Sequence, residues 1–160
     1  MARPEPDQPL LPSVLDRLID LEPGTTTEAR PRASARLEEL KRSVRRDLEW
    51  LLNSRRLLAS PPPGAEHAPR SLLSFGLPDF SHVSLENSEH REALRRTVEE
   101  AISRFEPRLM AVEVTMPEGD ALRRGVRFRI EGLLRVEPSP EPVSFDSTLR
   151  LPTRDFVVED

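Results

Sequence analysis

AISRFEPRLMAVEVTM, residues 101–116, decides how this chain folds. Upstream of its proline the apolar residues recur at helical spacing: Leu94, Val98, Ala101, Ile102 and Phe105. Downstream the pattern switches to alternation, with Met110, Val112, Val114 and Met116 on one face. Pro107 explains the switch. It has no N–H to donate, and it pushes Glu106 out of the α region. The helix therefore ends near Phe105 and a strand starts at once. Glu106 and Arg108 flank a stiff corner, where a carboxylate and a guanidinium can make directional, charge-assisted bonds. The plainer alternative is a helix stop between two solvated charges.

Working outward, a helix is predicted from about Ala35 to Arg56, opened by Ser34, with Leu37, Leu40, Val44, Leu48, Leu51 and Leu52 as its core stripe. Trp50 lies beside that stripe, either on the core edge or exposed as an interface anchor. The second helix begins near Asn87 or Ser88 and carries Glu/Arg pairs such as Glu92 and Arg96, read as surface pairs of small value. Three strands follow, at Leu109–Met116, Val126–Val136 and Val143–Leu151, and Phe156 to Val158 can add a short edge strand. Their connections are short, so an antiparallel meander is the economical topology. The expected fold is α+β: two main helices packed on a small antiparallel sheet of three to four strands, with proline-rich flexible arms.

Residues 1–34 read as a flexible N-terminal arm holding one short helix from Ser13, and residues 35–160 as a single domain. The 17 prolines and the low apolar share of 36% fit irregular stretches at 1–9, 23–31 and 59–71, the last containing Pro61-Pro62-Pro63. There is no cysteine, which excludes disulfides, thiolate metal sites and cysteine nucleophiles. No apolar run approaches the roughly 20 residues that span a bilayer, and the first residues lack a secretory apolar segment. A cytoplasmic protein with no membrane insertion is expected. The net charge of -4 is built from mixed signs. With no basic stripe, nucleic acid is not an expected partner.

Catalytic chemistry finds no foothold. His67, His82 and His90 have no ligand spacing to one another, so neither a metal nor a cofactor is expected. The glycines are scattered singly and form no phosphate loop. Glu106 is the one singular carboxylate. A neighbouring guanidinium would hold it ionised, which does not suit a general acid. No catalytic residue is assigned.

In order along the chain stand VRRDLEWLLNSRR (Val44–Arg56), SFGLPDFS (Ser74–Ser81), the helix running into Glu106-Pro107-Arg108, and EPVSFDSTLRL (Glu141–Leu151). In that order and spacing the chain resembles the TssE family, the baseplate wedge subunit of bacterial type VI secretion systems. That family is related to the lysozyme-like wedge protein of contractile phage tails. The resemblance covers about residues 10 to 158 and implies a non-enzymatic structural subunit of a membrane-docked baseplate. The family's hallmark tripeptide maps onto Glu106, Pro107 and Arg108 without substitution, and its helix motif onto Arg45, Arg46, Asp47, Leu51 and Asn53. These are the implied partner-binding residues. The implied partners are other wedge subunits and, by strand addition at the free C-terminal edge, a sheath subunit. A phage-tail wedge protein is the near alternative and a peptidoglycan hydrolase the distant one. On this view Glu106 and Arg108 become desolvated and paired when the wedge assembles, and Arg108→Ala harms assembly more than folding.

Overall fold

Pro107 stops the helix where its chemistry requires. In the computed structural model the long second helix runs Ser88–Phe105, and Glu106 caps it with its N–H still bonded to the Ile102 carbonyl. The structure describes residues 13–19, 33–56, 71–80, 87–117 and 125–159, together with residues 24, 64, 67, 68, 84 and 85. The expectations for residues 1–9, for Pro23 and 25–31, for Pro61 to Pro63 and for His82 fall outside the described residues.

The element order is α1 (Val14–Leu18), α2 (Ala33–Asn53), a 3-10 turn (Leu72–Ser74), α3 (Ser88–Phe105), β1 (Leu109–Thr115), β2 (Val126–Leu134), β3 (Glu141–Leu149) and β4 (Phe156–Glu159). The four strands form one antiparallel sheet in the order β1-β2-β3-β4, a meander. The fold is thus α+β, two main helices on a small antiparallel sheet. Val44, Leu48, Leu51 and Leu52 of α2 and Leu94, Val98 and Ile102 of α3 bury against Val126, Phe128, Ile130, Phe145, Leu149, Phe156 and Val158. Phe156 meets Phe80 and Phe128 with ring centroids 6.1 and 5.5 Å apart, within the range of favourable tilted pairs.

β1 ends at Thr115 and β2 at Leu134, and β3 runs Glu141–Leu149, each bound one or two residues from the sequence-based expectation. Three further differences have a physical reason. Helix α2 begins at Ala33, so Ser34 lies inside its first turn rather than ahead of it. It ends at Asn53 rather than Arg56, because the next backbone groups are taken elsewhere. The Ser54 carbonyl accepts from Leu77 N–H and the Arg56 N–H donates to the Leu77 carbonyl, both at 2.9 Å. Gly76 makes that bridge possible: its φ is +96°, and a Cβ there would stand 2.4 Å from the Ser54 oxygen.

The third difference is the phase of β1. Val114 is buried and Val112 and Met116 pack partly against the core, as the alternation predicts, but at the start of the strand Leu109 takes the buried place instead of Met110. Residues an odd number apart share a face only across a bulge, and the register indeed shifts between Met110 and Glu113. Ala111 sits there at φ 49°, in the left-handed region. Opposite stands Gly132, whose missing side chain lets the Met110 carbonyl approach; an added Cβ would be 3.2 Å from it.

Candidate functional site

The two charges at the proline corner are paired within the chain. Arg108 donates from Nε to Glu106 Oε1 (2.7 Å) and from Nη2 to Glu106 Oε2 (2.5 Å). Its backbone N–H adds a third bond to Oε1 at 3.2 Å. The Glu106 residue is only 4% exposed. The expectation that this pair closes only on assembly is therefore corrected. The proline turn sets Glu106 and Arg108 two residues apart on one side, close enough for a fork-to-fork match without a partner protein.

Arg108 also reaches across to α2. Nη2 donates to Asp47 Oδ2 (2.5 Å) and Nη1 to Ser43 Oγ (2.9 Å). Arg46, one turn along α2 from Ser43, holds the other Asp47 oxygen from Nε (3.0 Å) and Nη2 (2.8 Å). Burial pulls the Arg108 guanidinium toward neutrality, but its bonds and charge pairing with Glu106, then Asp47, outweigh this and raise its pKa above that of ordinary arginine. The result is a partly buried ionic brace between α2 and the α3–β1 corner.

Asp16 of α1 completes the cluster, and the reading of the sequence missed it. Its Oδ1 accepts from Ser43 Oγ and from Arg46 Nη2, both at 2.7 Å. Its Oδ2 accepts from Ser13 N–H (3.1 Å) and Ser13 Oγ (2.6 Å), closing a capping box at the start of α1. Burial would raise its pKa, yet the bonds from Ser13, Ser43 and Arg46 lower it to about 2. The Ser13-x-x-Asp16 spacing was a legible signal for the box. Nothing in the sequence pointed Asp16 at Ser43, a contact across 27 positions.

The remaining site residues separate into two groups. Arg45 is half-buried on α2 and Pro107 is exposed at the corner tip. Trp50 is 50% exposed, with the Arg46 guanidinium 5.0 Å above its ring, so it stands out from the core edge. Asn53 lies apart from the cluster and does something else. Its Nδ2 donates to the Phe156 carbonyl (2.9 Å) and its Oδ1 accepts the Phe156 N–H (2.8 Å). The amide thus imitates a neighbouring strand and occupies the outer edge of β4.

The opposite edge is closed by charge. Glu99 Oε2 accepts the Val114 N–H (3.0 Å), Arg95 Nη1 donates to the Val114 carbonyl (2.9 Å), and the two side chains meet at 2.6 Å. Leu109 N–H is taken by the Glu106 carbonyl at 3.1 Å. An α3 pair at helical-neighbour spacing looked like ordinary surface charge in the sequence; here it caps a sheet edge. The antiparallel alternation turns the backbone groups of Val158, a residue 4% exposed, away from β3, beyond the Asn53 clamp.

Among the described residues no group of His, Asp or Glu is arranged to hold a metal ion, and no helix is long and apolar enough to cross a membrane. No curated protein and no solved structure gives a match. A family model described as baseplate wedge protein gp25 matches residues 38–139, most of the chain, from α2 through β2 and beyond the proline corner. The chain belongs to the baseplate wedge protein gp25 family.

Proposed function

We propose that this protein is a non-enzymatic structural subunit of a type VI secretion baseplate. In this role it joins other wedge subunits through the α2–proline corner surface and receives a sheath strand at the β4 edge. The observation that carries the reading is the ionic brace at Glu106-Pro107-Arg108. It uses a buried carboxylate and a partly buried guanidinium to shape one exposed corner, with Pro107 at its tip and Trp50 on the adjoining helix. Fixed charges and an exposed aromatic beside them are what a specific protein interface uses. Both oxygens of Glu106 are engaged by Arg108, which argues against a general acid and so against a peptidoglycan hydrolase. The domain also suits the wedge of a contractile phage tail, and the choice of secretion rests on the resemblance of the α2 motif.

β4 is taken as the edge for strand addition because β1 is closed at Leu109 and Val114, while the pairing with β3 turns the N–H and C=O of the largely buried Val158 outward. Thr148 and Phe156 are poor places for a test, since Thr148 pairs with strands on both sides and Phe156 is bonded to Asn53. Val158→Pro removes the outward donor, and Val158→Ala controls for the lost side chain. Sheath assembly should fail with Val158→Pro and proceed with Val158→Ala, each confirmed folded. For wedge joining, Arg45→Glu and Trp50→Ala should leave the fold intact and abolish co-purification with secretion wedge subunits. Normal capture by both variants would refute the surface assignment.

A further inference from the structure

We propose that Ser43, Arg46 and Arg108 form an exchangeable seat for a carboxylate displayed on the first turn of a short helix, filled in the isolated chain by Asp16 of its own α1. The inference rests on reading this corner as a partner surface, and it names the chemistry that surface accepts.

Among the described residues, the side-chain bonds from α1 to α2 end on Asp16. The apolar side chains of α1 add little: Val14 is 74% exposed, Leu15 44% and Leu18 76%. The Asp16 side chain, in contrast, is 9% exposed and bonded at both oxygens. An isolated helix of five residues has no stability of its own in water. The α1 turn therefore behaves as a tethered ligand whose recognition element is one carboxylate oxygen.

The seat does not depend on that ligand. Ser43 is oriented by Arg108 Nη1, Arg46 by Asp47, and Arg108 by Glu106 and Asp47. Two guanidiniums face two carboxylates once Asp16 is withdrawn, so the empty seat is charge-balanced and pre-organised. It still presents a hydroxyl and an arginine N–H toward the place where Asp16 Oδ1 sits. A partner that offers a Ser-x-x-Asp turn, with one oxygen kept for its own capping box and one for Ser43 and Arg46, reproduces the contact.

The test uses the full-length protein and a fluorescent peptide of residues 10–22. Asp16→Ala empties the seat, and the labelled wild-type peptide is titrated against variant and wild type. Because the chain's own Asp16 competes for the seat, the peptide should bind the wild type several-fold more weakly than the variant. The peptide carrying Asp16→Ala should bind neither protein. Emission of Trp50, the single tryptophan, stacked on Arg46, gives a second signal, shifting in the variant and returning when peptide is added. Asp16→Asn, which keeps the shape of the turn, must show the same exchange. Equal binding to variant and wild type, or no binding to either folded variant, overturns the proposal. Wedge capture is not read in this titration, so its failure and the failure of the interface assignment are separate results.

Discussion

Replacing Arg108 by alanine should destabilise the isolated protein, and the structure says by how much and through which atom. The substitution removes the side-chain bonds to Glu106, Asp47 and Ser43. Asp47 keeps Arg46, and Ser43 keeps Asp16. Glu106, with its side chain 5% exposed, keeps only the backbone N–H at position 108. The loss is therefore the cost of one stranded carboxylate. Breaking a buried pair in this way costs about 3–5 kcal/mol. The Arg108 side chain is one-fifth exposed, so water can enter its place and the low end, about 3 kcal/mol, applies. For a domain of this size that lowers Tm by roughly 10 °C. Adding Glu106→Gln to Arg108→Ala should recover part of the loss, because the remaining amide needs no counter-charge. The assay is thermal and urea unfolding of the wild type, both single variants and the double variant at pH 7. A Tm within 2–3 °C (roughly 1 kcal/mol) of wild type, or a double variant no better than Arg108→Ala, would refute the brace.

Asp16 predicts an acid transition: its pKa falls from 3.8 to about 2 on folding, so its contribution is complete above about pH 5 and lost as pH drops through 4 toward 2. The contribution is about 2 kcal/mol. Trp50 emission should report the release of α1 in that window, and Asp16→Asn should titrate flat there; superimposable curves would exclude the contact. Asn53→Ala removes both bonds to Phe156 and should cost about 2 kcal/mol, with amide exchange of β4 accelerated more than that of α3. Ala111→Gly relieves the positive φ at the β1 bulge and should stabilise by up to about 1 kcal/mol, visible as a raised midpoint in urea; a lowered midpoint would mean the bulge is not strained.

The helices and the sheet were readable because their cause is local. Pro107 stops α3 wherever the rest of the chain lies, and the inward residues of β2 alternate because the pleat alternates. Ser13 and Asn87 cap their helices through atoms two or three residues away. The phase of β1 ahead of Val112 escaped because a bulge is decided by the opposing strand. Gly132 could be seen in the sequence, but not which carbonyl it faces.

The candidate site was legible only in its nearest part. Glu106, Pro107 and Arg108 lie together in the sequence, and so do Arg45, Arg46 and Asp47. That the two groups meet is a fact about α2 crossing the α3–β1 corner, and it turns a supposed docking pair into an internal brace. Asn53 and the Arg95–Glu99 pair show the same limit. As residues on helices they look like surface polarity, and only the neighbouring strand edge gives them backbone groups to seal. The sequence by itself determined the elements, their antiparallel order and the charged corner, since these follow from proline geometry, residue period and short connections. Tertiary structure alone decided where each charge finds its partner, because a hydrogen bond depends on distances of about 3 Å between atoms that the chain order leaves far apart.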